Sequence, residues 1–324
     1  MSTPTWFVDG FSGRVAVVTG GGSGMGRELV RQLAAAGCDV ATCDVIEDNL
    51  AETAEMCAGS PGRVLTHRAD VGVEADIVAF RDAVAAWRSH VHLLINNAGI
   101  GGGGSIVDDD RTEWERTFGV CWFGVYHGTR AFLPLLLAAD CGHVVNTSSV
   151  NGFWASLGPG IPHTAYSAAK FAVKGFTEAL VTDFRINAPT LRASVVMPGH
   201  IGTSIAINSR KLLGHDPKEM TEEQVAQMRA RMAKAGIDLS AASDEDIRVG
   251  IQAQGEAFRD NAPTTAAEAA TIILEAVKRG EWRILVGHDA VILDEMVREH
   301  PTEAYEPGFM DRVHARGALR FTAE

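Results

Sequence analysis

Short runs of consecutive apolar residues alternate along the chain with longer segments whose apolar positions recur every three or four residues. The runs "RVAVVTG" (14–20), "CDVATCDV" (38–45), "RVLTHRAD" (63–70), "VHLLINN" (91–97), "HVVNTSS" (143–149), "LRASVVMPG" (191–199) and "WRILVG" (282–287) predict strands. The periodic segments predict helices from about 24 to 36 and near 73–88, 111–138, 163–185 and 264–279. A strand that is apolar at consecutive positions is covered on both faces. Alternating with helices, such strands predict an α/β protein with a parallel sheet between two helical layers.

One stretch breaks the rhythm. Between Pro198 and about Pro263 there is no strand signal, and the pattern "TEEQVAQMRARMAKAG" (221–236) is helical. So long an insertion in a compact α/β domain is either a functional lid or a disordered loop. The expected division is therefore an N-terminal arm (1–11), a body (12–203 and 264–287), a lid after the sixth strand (204–263) and a C-terminal extension (288–324). Pro301, Pro307 and Gly308 suggest that the extension wraps the surface, and "GIGGGGS" (99–105) is expected to be locally flexible.

Composition narrows the function classes. The 324 residues are 46% hydrophobic, ample for a large core. A net charge of −12 repels phosphate backbones and anionic headgroups, so neither nucleic acid nor membrane is an expected partner. The longest apolar run, "AFLPLLLAA" (131–139), is too short to span a bilayer, and no signal peptide is visible. The five cysteines (Cys38, Cys43, Cys57, Cys121 and Cys141) form no CxxC pair, which favours reduced thiols in a soluble cytoplasmic protein. No His/Asp/Glu cluster has metal-ligand spacing, so no metal is expected.

The chemistry begins at "VVTGGGSGMGRELV", which runs from strand into turn into helix. Gly20, Gly24 and Gly26 permit positive φ and close approach, and the turn formed with Ser23 and Met25 opens a helix whose free N–H groups favour a pyrophosphate. Asp44 ends the second strand, where a carboxylate accepts ribose hydroxyls and repels a 2′-phosphate. Neither Ser23 nor Val45 is basic, so NAD is expected in preference to NADP. Arg27, the one nearby cation, is expected to point into solvent. In "HTAYSAAKFAVKGFTEAL", Tyr166 and Lys170 stand at i and i+4 on one helix face, where an ammonium stabilises phenolate and lowers the tyrosine's pKa. Ser148 and Ser149 close a buried strand just upstream.

TGxxxGxG (Thr19–Gly26), Asp70–Val71, "NNAG" (Asn96–Gly99), Ser149, Tyr166-x-x-x-Lys170 and "PGHIGT" (Pro198–Thr203) occur in this order. With them the sequence resembles the short-chain dehydrogenase/reductase family, in its non-extended, single-domain subclass, over residues 12–203 and again at 264–287. The resemblance implies a Rossmann-like, doubly wound parallel sheet. It implies Tyr166 as general acid/base, Ser149 as the group that orients the substrate oxygen, and Lys170 as holder of the nicotinamide ribose. It further implies Asp70 and Val71 at the adenine, Asn97, Ala98 and Gly99 near the adenosine ribose, and Pro198, Gly199, Ile201 and Thr203 at the carboxamide end. A homodimer or homotetramer assembled through the helices near 111–138 and 163–185 is also implied.

The family's fourth catalytic position is an asparagine 24 residues beyond the second Asn of NNAG, and here that position is Cys121. A thiol is a weak donor and acceptor and does not replace an amide. Its main-chain carbonyl serves the family's proton-relay water only if the helix is locally opened there. Phe153, Trp154, Leu157, Ile161 and His163 are expected on the substrate side, with His163 either touching substrate or bonding locally. Val225, Met228 and Met232, with Met220, form an apolar stripe that either faces a bulky substrate or packs the lid onto the body. The expected function is hydride transfer between NAD(H) and a bulky, largely apolar or aromatic secondary alcohol or ketone. A catalytically impaired dinucleotide-binding regulator or scaffold, and an epimerase or dehydratase, remain as alternatives.

Overall fold

A computed structural model describes residues 6–158, 161–234 and 236–319. The first half builds strand–helix pairs: β1 (Val15–Thr19), α1 (Gly24–Ala35), β2 (Asp39–Asp44), α2 (Glu47–Met56), β3 (Val64–Arg68), α3 (Glu74–Trp87) and β4 (Leu93–Asn96). The predicted helix 111–138 is α4 (Arg111–Phe118), a π-helical turn (Gly119–Phe123) and α5 (Gly124–Leu137). Then come β5 (Gly142–Thr147), a single 3-10 turn (Val150–Gly152), α6 (Thr164–Asn187) and β6 (Leu191–Pro198).

After β7 (Ile201–Gly202), the insertion contains α7 (Ile205–Leu212), α8 (Glu222–Lys234) and α9 (Asp244–Asp260). It closes with β8 (Thr264–Thr265), which pairs with β7 and so returns the chain to its starting point. α10 (Ala266–Arg279), β9 (Arg283–Val286), α11 (His288–Glu299) and α12 (Phe309–Ala315) complete the described chain. Thr265 starts α10 with a capping box to Glu268, satisfying N–H groups that the first helical turn leaves without partners.

Seven strands form one parallel sheet in the order β3-β2-β1-β4-β5-β6-β9. The order reverses between β1 and β4, and in such a sheet ligands bind outside the carboxyl ends of the strands at that switch point. Alternate residues of β1 explain its unbroken apolar run. Ala16 and Val18 pack with α1 and α10, whereas Val15 and Val17 share a cluster with α3, α5 and α6. The fold is thus the doubly wound Rossmann-like sheet. Phe80 of α3 meets Phe132 of α5 edge-on at 5.5 Å, and truncating either to alanine costs about 3–5 kcal/mol.

Three segments outside the strand–helix alternation are tied to the body. Trp6, Phe7 and Phe11 of the N-terminal arm are buried: Phe7 packs against Phe11, and the guanidinium of Arg192 lies 4.0 Å from the centre of the Trp6 ring. The extension is folded: α11 and α12 build a separate apolar cluster with Val150 and Trp154. The glycine-rich segment is tied down on both sides. Gly103 and Gly104 accept the N–H groups of Ala165 and Thr164 at 3.0 and 2.8 Å, and Gly101 donates to Ser209 Oγ at 2.8 Å.

Candidate active site

All residues expected to bind nucleotide or do chemistry line one cavity of about 380 Å³ at the carboxyl edge of the sheet. Its first wall is the turn after β1. Gly20 takes φ +71°, and a Cβ there would stand 2.8 Å from Ala98 Cα, so glycine lets two loops meet. A Cβ on Gly26 would lie 2.0 Å from the Gly20 oxygen. Thr19 Oγ1 accepts the N–H groups of Asn97 and Ala98 at 3.0 and 3.1 Å, which fixes the NNAG segment beside the turn.

Asp44 receives the Gly22 and Ile46 N–H groups at 3.0 and 3.2 Å. Arg27 does not point into solvent. It is held inward by the Gly22 carbonyl, Thr53 and Glu52, because these acceptors converge beneath the turn. Asp70 is paired with Arg116 at 2.7 Å, and both line the cavity.

β5 and α6 bring the chemical end together. Lys170 is buried, and its ammonium donates to the Thr147 carbonyl at 2.9 Å; burial pulls its pKa down. That ammonium is 5.3 Å from the centre of the Tyr166 ring. Ser148 and Ser149 divide their work. Ser148 donates to the Lys170 carbonyl at 2.7 Å and joins strand to helix, whereas Ser149 hydrogen-bonds to Tyr166; both serines line the cavity. Contrary to the expected acidification, the chain's own groups push the phenol above its ordinary value. Burial is the largest cause, the Cys121 thiol adds to it, and the Ser149 hydrogen bond opposes it.

The helix is opened at Cys121. Residues 119–123 form the π-helical turn, a distortion that often marks functional sites. The thiol itself is engaged, donating to the Ile100 carbonyl at 3.1 Å.

The substrate side needs correction. Leu157 and His163 line the cavity, with the imidazole 4.7 Å from the Tyr166 ring and its pKa lowered to about 4 by burial. His163 is at the N-cap of α6 but makes no side-chain cap bond. Phe153 and Trp154 instead turn into the cluster formed with α11 and α12, and Ile161 is exposed. Of the predicted stripe, Met220, Val225 and Met228 pack on Ile247 and Ile251 of α9, inside the insertion, and Met232 falls outside that cluster. Periodicity identified a buried face without revealing its partner.

Sequence reasoning missed Arg116, Asn208, Ser209, Leu212, Phe258 and Leu319, which also line the cavity. Asn208 donates to Ser23 Oγ at 3.3 Å, so α7 lies directly over the glycine turn. No local signal marks these residues, since their neighbours are distant in sequence.

The profile of the short chain dehydrogenase family matches residues 14–213. The chain belongs to that family. It is 36% identical over 288 residues to the putative oxidoreductase SadH of Mycobacterium tuberculosis, covering 89% of this chain and 91% of that protein. A short-chain dehydrogenase/reductase from Burkholderia phymatum, solved with NAD, superposes with a TM-score of 0.72 at 29% identity, covering 92% and 97% of the two chains. A metagenomic short-chain oxidoreductase solved with NADP gives 0.53 at 31% identity, over 58% and 83%. The protein is therefore a short-chain oxidoreductase whose structural relatives hold NAD or NADP.

Proposed function

We propose that the protein is an NAD-dependent dehydrogenase interconverting a bulky, largely apolar secondary alcohol and its ketone. The observation that carries this reading is the convergence of Ser149, Tyr166 and Lys170 on one cavity with the glycine turn and Asp44. A dinucleotide fits the donor set: the glycines remove side chains from the turn, and the N-terminus of α1 faces it. Gly20, Ser23, Gly24, Met25 and Gly26 would hold the pyrophosphate region, and Asp44 the adenosine ribose. Asp70, Val71, Asn97, Ala98 and Gly99 would border the adenosine half. Pro198, Gly199, Ile201 and Thr203 would hold the nicotinamide end, with Tyr166 and Lys170 at its ribose.

Bound NAD(H) supplies the hydride acceptor or donor. Tyr166 exchanges a proton with the substrate oxygen, as acid in reduction and as base in oxidation. Ser149 orients that oxygen and stabilises its developing charge. The ammonium of Lys170 stabilises the phenolate as the proton leaves. Preference for NAD is supported by Asp44 at the cavity wall and by Arg27, whose guanidinium is occupied by Gly22, Thr53 and Glu52.

An apolar substrate is supported by Leu157, Leu212, Phe258 and Leu319 at the wall. We assign 204–263 as a lid on the body and 288–324 as an extension of it. The exposed Phe123 of the π-helical turn, Tyr126 of α5 and Phe171 of α6 support a homodimer or homotetramer, and a cytoplasmic location agrees with the free thiols.

NADH fluorescence during incubation with a panel of secondary alcohols tests the reading. Turnover with NAD that is lost in Tyr166→Phe is expected. Tight nucleotide binding without net oxidation of any alcohol, or reduction of any ketone, overturns it.

A further inference from the structure

Leu319 lies well beyond the last strand, β9, in sequence, yet it lines the same cavity as Ser149 and Tyr166. Among the described residues it is the one non-glycine with positive φ, +53°. That conformation costs a side-chain-bearing residue about 1–2 kcal/mol and persists only where surroundings over-determine it. Here they do. After α12, the N–H groups of Gly317 and Ala318 return to the His314 and Val313 carbonyls at 2.9 and 3.2 Å, reversing the chain. Leu319, 5% exposed, joins Phe309, Val313, Val150 and Trp154 in one apolar cluster.

The extension is also bonded to the loop that follows Ser149. Trp154 Nε1 donates to the Ala304 carbonyl at 2.7 Å, and the Ala155 N–H donates to the Tyr305 hydroxyl at 3.0 Å. Val150 follows Ser149 directly, so the position of Leu319 relative to the serine is set by packing and two hydrogen bonds rather than by a loose end. Leu157 and Leu212, both apolar, are on the same lining.

We infer that Leu319 is a specificity-determining residue: the C-terminal extension supplies through it a wall of the substrate end that limits the apolar substituent of the alcohol. This rests on the dehydrogenase reading for the nature of the substrate, but the wall itself is a matter of space. A shortened side chain admits a larger substituent and withdraws contacts from a small one, so substrates are re-ranked and not uniformly slowed.

The test compares wild type with Leu319→Ala and Leu319→Gly, the latter suited to positive φ should alanine fold poorly. The substrates are 2-butanol, 1-phenylethanol and 1-(2-naphthyl)ethanol with NAD. The expected result is a rise of about tenfold or more in kcat/KM for the naphthyl alcohol relative to 2-butanol, the low end of what one or two methylenes decide in an apolar pocket. The KM for NAD should remain within about twofold, since no nucleotide contact is removed. A common factor across the three alcohols, or no change, overturns the inference. If wild type oxidises none of them, the dehydrogenase reading is judged on its own wider panel, and calorimetric titration with 2-acetonaphthone and 2-butanone decides the wall. A variant that gains affinity for the larger ketone relative to the smaller upholds it, and an unchanged ratio sinks it.

Discussion

Tyr166 carries a conflict between burial and chemistry. Burial holds its pKa above the ordinary phenol range, so the acid form dominates near neutrality and the base form must be reached from the alkaline side. Alcohol oxidation is therefore expected to rise with pH on the alkaline side, measured as kcat/KM against pH, whereas ketone reduction should not share that limb. Tyr166→Phe is expected to lower kcat by about 10²–10⁴-fold with nucleotide affinity retained. Cys121 differs because its thiol is spent on the Ile100 carbonyl while the π-helical turn opens the main chain. Cys121→Ala should keep kcat within about threefold, since removing a weak thiol hydrogen bond costs little of the barrier. A collapse like that of Tyr166→Phe would assign the thiol itself to the reaction. Asp44→Asn keeps an acceptor for the Gly22 N–H but removes the charge. The ratio of kcat/KM for NAD over NADP should then fall by about tenfold or more, because a like-charge contact of over 1 kcal/mol is relieved.

Helix α8 and the turn after α7 are latched to the segment around α4 by charge. Arg231 pairs with Asp109, Lys234 with Asp108 at 2.9 Å, and His215 with Glu113 at 3.0 Å. Glu113 also takes the N–H of Gly103, whose carbonyl receives the N–H of Ala165, next to Tyr166. The Glu113 hydrogen bond raises the pKa of His215; Asp109 adds to the rise, while burial and Arg231 oppose it. A raised histidine stabilises fully below its unfolded pKa of about 6.5 and loses that contribution as pH rises through the folded value. His215→Gln should therefore lower Tm by about 1–3 °C at pH 6 and by less at pH 8, given that a partly exposed pair contributes about 0.2–1 kcal/mol. Equal shifts at both pH values would remove the ion pair from the latch. Element legibility followed burial. Strands covered on both faces were readable as apolar runs, but α2 buries only Leu50 and Thr53 and so has too thin a stripe to show a helical period.

At the scale of the whole molecule, stability should decline on acidification before the carboxylates protonate. Burial lowers the pKa of His92 and His163 to about 4 and of His143 to about 3. The unfolded chain takes up protons at these groups below about pH 6.5 while the folded chain does not, each weakening the fold by up to about 1.4 kcal/mol per pH unit. Asp289, whose carboxyl burial pushes up, opposes this only at the acidic end. The urea midpoint is expected to fall steadily from pH 7 to pH 4.5, and a flat profile would contradict neutral burial of the three imidazoles. The sequence by itself determined the strand–helix alternation, the glycine turn, and the spacing of Ser149, Tyr166 and Lys170, because these depend on residues close together along the chain. Only the tertiary structure decided that Arg27 turns inward, that the methionine stripe packs on α9, and that Leu319 reaches the cavity of Ser149. Periodicity records that a face is buried, whereas the identity of its partner is set by packing between segments far apart in the chain.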